Sequence, residues 1–179
     1  MSHERLLPRI TALWIVVAVV SGCIGATSEP NAVGDFSIYL VKQGVSAQQI
    51  MDMDLSQLEL EEVPILSIDD IVTYTWQTHE IELTDSARER IAHLEVPLTT
   101  GAPFVVCVGG ERVYGGAFWV SWSSMSFHGI VIDTLFARMD GHPIRIQLGY
   151  PESPELFVGE DLRSDSRILQ SLKDAGKLR

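Results

Sequence analysis

Basic residues are scarce in this chain: 13 Lys and Arg stand against 24 Asp and Glu in 179 residues. A surface so poor in positive charge excludes nucleic-acid binding and the docking of a basic face on anionic lipid. Cysteine is scarcer still, with Cys23 and Cys107 alone. That excludes a disulfide-stapled scaffold. No apolar run reaches the ~18 residues that a spanning helix needs. The sequence holds no G-x-S-x-G, no H-E-x-x-H and no P-loop, so the common hydrolase, zinc-protease and nucleotide signatures are missing. Repeats, heptads and low-complexity tracts are missing too. What is present is a globular composition, 46% hydrophobic and 21% charged, with four Trp, six Phe and four Tyr to bury.

The first residues follow a different pattern from the rest. Arg5 and Arg9 precede an apolar run from Ile10 to Val20, and Val20-Ser21-Gly22-Cys23 follows it. A charged start and a short apolar run make a signal peptide. The four-residue box resembles the lipobox of bacterial lipoproteins. That resemblance implies cleavage before Cys23, diacylation of its sulfur and palmitate-like chains that hold the protein to a membrane. Two or three acyl chains anchor firmly where one does not. Ile24, rather than Asp, stands after Cys23; the resemblance then implies the outer membrane in a Gram-negative envelope, or the outer face of the cytoplasmic membrane in a Gram-positive one. Removing residues 1–22 takes Arg5, Arg9 and Glu4 and leaves 11 basic and 23 acidic residues, a formal charge of −12. The expected organisation is residues 1–22 as signal, 23–34 as acylated Cys and flexible tether, and 35–179 as a single domain.

Within that domain the stretch from Pro103 to Trp119 reads as a central hairpin. Phe104 to Val108 is apolar on both faces, which fits a strand covered on both sides. Gly109-Gly110 supplies the turn. Gly115-Gly116 marks either a bulge or a close backbone approach in the returning strand. Alternation predicts further strands at 35–41, 71–74, 79–83, 129–133 and 144–148. Helices are expected from Ser46 to about Met53, over Ser86–Leu94 with Ala87, Ile91 and Leu94 inward, and to about Lys173 with Ile168, Leu169 and Leu172 inward. The fold class is α+β: a mostly antiparallel sheet of about six to eight short strands with two or three helices on one face.

Ile81-Glu-Leu-Thr-Asp-Ser-Ala87, a helix, and then Pro103 to Tyr114 resemble the exported domain of SecD over residues 72–132. The resemblance implies a strand, a helix and a glycine-turned hairpin in that order. It stops short of that family's membrane helices, so it carries no translocation role. The mature chain as a whole resembles bacterial lipoproteins of undefined activity, and that likeness names no site.

Few side chains converge. Trp119, Trp122 and Phe127 interleave with serines on one link; they either cap the hairpin core or line a groove for a peptide or sugar. His128, with Asp133 and a neighbouring Ser, makes a hydrolase-like set. His79 reads as a surface strand residue, since Glu80 points the other way and Glu82 is distant. Asp161 and Asp165 either bind Ca²⁺ or cap a helix beside Arg163 and Arg167. Cys107, inside an apolar strand, reads as an inert thiol. No cofactor or metal site is expected. The leading expectation is a lipid-anchored, non-enzymatic extracytoplasmic module that binds an envelope protein or peptide. The alternatives are a small-ligand or glycan receptor on the Trp119–Phe127 segment, and a hydrolase using His128.

Overall fold

Strands form where apolar side chains alternate, and here they join into one sheet. The computed structural model describes residues 34–42 and 44–179. The expected signal peptide, Cys23 and nearly all of the expected tether lie outside those residues. The strands are β1 (Phe36–Leu40), β2 (Leu66–Ser67), β3 (Ile71–Thr75), β4 (Glu80–Leu83), β5 (Ala102–Val108), β6 (Glu111–Trp119), β7 (Phe127–Asp133) and β8 (Ile144–Tyr150). Their order across the sheet is β2-β1-β5-β6-β7-β8-β4-β3. Every pairing is antiparallel except β6 with β7. Three helices, α1 (Ala47–Ile50), α2 (Asp85–Ala92) and α3 (Ser166–Asp174), complete an α+β fold. No helix among the described residues is long and apolar enough to cross a membrane.

The β5–β6 hairpin lies inside the sheet, as its two-sided apolar pattern predicts. Phe104 and Val106 face the main core, together with Phe36, Ile38, Phe118, Ile132 and Ile146. Ala87 and Ile91 of α2 and Ile168 and Leu172 of α3 close that face. Val105 and Cys107 point the other way, onto Ile50 and Leu58. The helices are therefore not confined to one face: α1 covers the second side. The thiol of Cys107 is buried, which pushes its pKa up and removes the thiolate that reactivity needs.

Gly109 and Gly110 adopt φ of 58° and 82°, the positive values of a two-residue hairpin turn. Of the two readings of Gly115-Gly116, close approach is the correct one. Both glycines pair in register, with Val105 and Phe104, and the register shift falls beyond them, between Val106 and Cys107. A Cβ on Gly116 would meet the Phe104 ring at 2.5 Å and the Ile130 carbonyl at 2.7 Å. Only a bare backbone lets β7 and Phe104 come this near.

Two further expectations change. His79 is not on the wet face: it is 7% exposed, with φ of 54°, where the chain enters β4. Its Nδ1 lies 3.0 Å from the Tyr74 hydroxyl, and the Trp76 ring meets it edge-on at 5.8 Å. Burial, reinforced by the nearby Arg163 guanidinium, lowers its pKa. A polar residue at a strand start gives no hint of a buried hydroxyl partner five residues earlier. Leu169 turns outward at 36% exposure, while Ile168 and Leu172 face in. In α3, Ser171 takes the remaining inward position.

Both sheet edges are covered. Lys42 N–H donates to the Glu59 carbonyl, and Glu61 and Ile65 N–H donate to Leu40 and Ile38, so the 59–65 connector masks β1. At the other edge Tyr74 N–H donates to Lys177 and Arg179 N–H to Tyr74. The tail thus closes β3, and β2 is too short to offer a template.

Candidate functional site

Parallel neighbours usually need a dozen or more connecting residues. Between β6 and β7 only residues 120–126 make the return, so the link runs taut. Hydrogen bonds fix it on either side of Trp122. The Tyr150 hydroxyl donates to the Ser121 carbonyl at 2.6 Å and lies 3.4 Å from that of Ser123. Ser121 donates its hydroxyl to the Asp133 carboxylate, which also accepts the Leu135 N–H at 2.9 Å. Ser123 donates to the Leu98 carbonyl at 2.5 Å. Trp122 is flanked by two pinned residues and projects outward, 54% exposed. The Arg138 guanidinium sits 5.5 Å from its ring centre, a cation–π contact.

Trp119 and Phe127 do not share that exposure. They lie beneath the link, 1% and 2% exposed, stacked at 5.4 Å and 14° between ring planes. Ala47, Ala117, Val131 and Tyr150 surround them. Their role is to floor the link, so of the three aromatics only Trp122 meets solvent.

Trp122 overlooks a groove of about 1430 Å³. The end of β1, the outer side of α2, the 94–103 loop and residues 137–140 make its walls. Thr84 caps α2 by accepting the Ala87 N–H at 3.3 Å. Arg88 ties α2 to the opposite wall: its guanidinium donates to the carbonyls of His142 at 2.7 Å, Met139 at 3.4 Å and Phe136 at 3.5 Å. Four large apolar side chains stand exposed near the link: Leu98, Trp122, Met125 and Met139. Ser123 joins three of their segments, since it lies next to Trp122, donates to the Leu98 carbonyl and accepts the Met125 N–H at 3.1 Å. Sequence reasoning found Trp122 and missed the others. Leu98, Met125 and Met139 are single apolar residues in loops, and periodicity is blind to those.

No protein-family model, curated protein or solved structure matches this chain.

The hydrolase-like set does not assemble. His128 is exposed near the start of β7 and Asp133 is buried at its end, about 16 Å away at strand rise. Asp133 is already occupied by Ser121 and the Leu135 N–H. The acidic cluster before α3 caps instead of chelating: Asp161 forks onto Arg163 and Asp165 onto Arg167, with both guanidinium contacts at 2.8 Å. Asp165 accepts the Arg167 N–H as the helix cap. Hydrogen bonds from these arginines hold both carboxyls below the usual range. Among the described residues no three His, Cys, Asp or Glu side chains gather as a metal site would need.

Proposed function

We propose that this protein is a lipid-anchored extracytoplasmic module, not an enzyme, and that it binds a partner protein or peptide in the groove beside Trp122. The observation that carries this reading is a groove lined by Leu40, Val41, Val45, Val120 and the exposed Trp122, with Leu98 and Met125 exposed on the segments that Ser123 ties beside it. Exposed apolar groups gathered at a cleft mark interaction sites, and Met adapts to irregular partners. Strand addition is a poor alternative, because both sheet edges are occupied by the chain itself.

The groove lies away from the point where the proposed tether would join the domain. The described chain starts beside the β5–β6 turn, where the Gly109 N–H donates to the Asp35 carbonyl. The groove opens at the other end of β1, at Leu40 and Val41, about 16 Å further along the strand. A tether joined at Asp35 would enter the domain at the end of β1 remote from the groove. Ile24 and the lipobox argue for the outer membrane, or for the outer face of the cytoplasmic membrane in a Gram-positive cell.

Two measurements test the two halves of this reading. Radiolabelled palmitate is expected in the wild-type chain and absent from Cys23→Ser; equal labelling of both refutes the anchor. A photo-crosslinking amino acid at position 93, an exposed residue lining the groove, is expected to capture one partner in intact cells, with capture lost in Trp122→Ala and absent from position 155. Equal capture from both positions refutes the groove. If a glycan quenches Trp122 fluorescence and no polypeptide is captured, the receptor reading replaces this one.

A further inference from the structure

Building on the reading of the groove as a peptide site, we infer that its occupant is an extended, Lys- or Arg-bearing segment with apolar side chains between the charges. Five carboxylates line the groove: Glu61, Asp85, Glu89, Glu95 and Asp140. The ion pairs among the described residues engage Asp70, Glu111, Glu152, Asp161 and Asp165, and none of those five. Asp85 is compensated by its place in the first turn of α2, where the helix dipole favours negative charge. The other four lack that compensation.

The cations lining the groove offset them only in part, three against five. Arg88 directs its guanidinium at three backbone carbonyls, and Arg138 lies over Trp122. Lys42 is the remaining one among the described lining residues. The helix geometry adds to the negative field. α2 ends at Ala92 with its cap at His93, and both residues line the groove with Glu89 and Glu95 around them. A helix C-terminus carries partial negative charge, so the carbonyl ends and the carboxylates act together on one wall. Trp122 lines the same groove, with a ring that already holds one guanidinium and draws cations to its face.

Charge and apolar surface therefore alternate over a short distance. An extended chain presents side chains to opposite sides at every second residue. Basic residues on one side meet Glu89 and Glu95 while apolar residues on the other meet Trp122, Val120 and Val45. Acidic segments and phosphate-rich ligands are repelled by the same wall.

The probe is a dye-labelled seven-residue peptide of sequence Lys-Leu-Lys-Phe-Lys-Leu-Lys, set against its counterpart with Glu at each Lys. Binding to the full mature chain in nonionic detergent is read by fluorescence anisotropy. The Lys peptide is expected to bind and the Glu peptide to fail. Glu89→Gln with Glu95→Gln is expected to weaken binding about fivefold, the scale of two exposed charge pairs. Glu155→Gln with Glu160→Gln, on exposed positions outside the groove, is expected to stay within about twofold of wild type. An equal loss from both double substitutions overturns the inference, as does failure of the Lys peptide to bind. Equal binding of both peptides, abolished by Trp122→Ala, overturns the charge inference and leaves the groove reading standing. Binding untouched by Trp122→Ala overturns both.

Discussion

Trp119 and Trp122 are three residues apart and make opposite use of the same side chain. Trp119 ends β6 under the link, stacked on Phe127 and shut from water. Trp122 stands on that link with more than half its surface exposed. The difference comes from how the intervening backbone is held. Trp119 points inward because β6 is still paired there, with the Trp119 carbonyl accepting the Thr134 N–H at 3.0 Å. Trp122 points outward because Ser121 and Ser123 are tied on either side of it. Core burial fixes the first ring, and polar bonds to its neighbours position the second. One is built into the core, and the other is left open to solvent.

That contrast can be broken in graded steps. Trp119→Ala removes a fully buried ring and is expected to cost about 4 kcal/mol in chemical denaturation. A cost below about 1 kcal/mol would erase the distinction between the two tryptophans. Gly116→Ala forces a methyl against Phe104 and the Ile130 carbonyl, on the opposite face of β6 from Trp119. About 2 kcal/mol of destabilisation is expected, read from the same unfolding curves; a neutral result would mean β7 can move aside. Tyr150→Phe deletes the hydroxyl that holds the Ser121 and Ser123 carbonyls. About 1 kcal/mol is expected from that lost bond, together with faster quenching and lower anisotropy of Trp122 emission. Unchanged emission would show that Asp133 and Leu98 suffice to hold the link. Trp122→Ala is expected to move stability by less than about 0.5 kcal/mol while abolishing groove binding. A large stability loss there would return Trp122 to the core.

Much of the fold was legible because burial imprints periodicity. Phe36-Ser-Ile-Tyr-Leu40, Ile144-Arg-Ile-Gln-Leu148 and the run from Phe104 to Val108 name their own strands and faces. The Gly109-Gly110 turn and the Thr84 cap mark boundaries for local steric reasons. What stayed hidden depends on contacts far apart in sequence. His79 is buried by Tyr74 and Trp76, which no alternation rule reveals. The parallel pairing of β6 with β7 was unreadable, since a seven-residue link resembles a hairpin loop. The site was half legible: Trp122 stood out as an aromatic among serines. The groove walls around it, with Val45, Glu95 and Arg138, come from separate segments that only the fold gathers. His128 and Asp133 misled for the converse reason, because five residues along an extended strand is a long distance.

The residues that seal β3 are the last three of the chain. Lys177 and Arg179 occupy the peptide groups of Tyr74, and Leu178 lies beside it as a parallel bridge. Without that cover β3 would present a ready template for self-association. Shielding of this edge thus rests on three residues that do not line the groove.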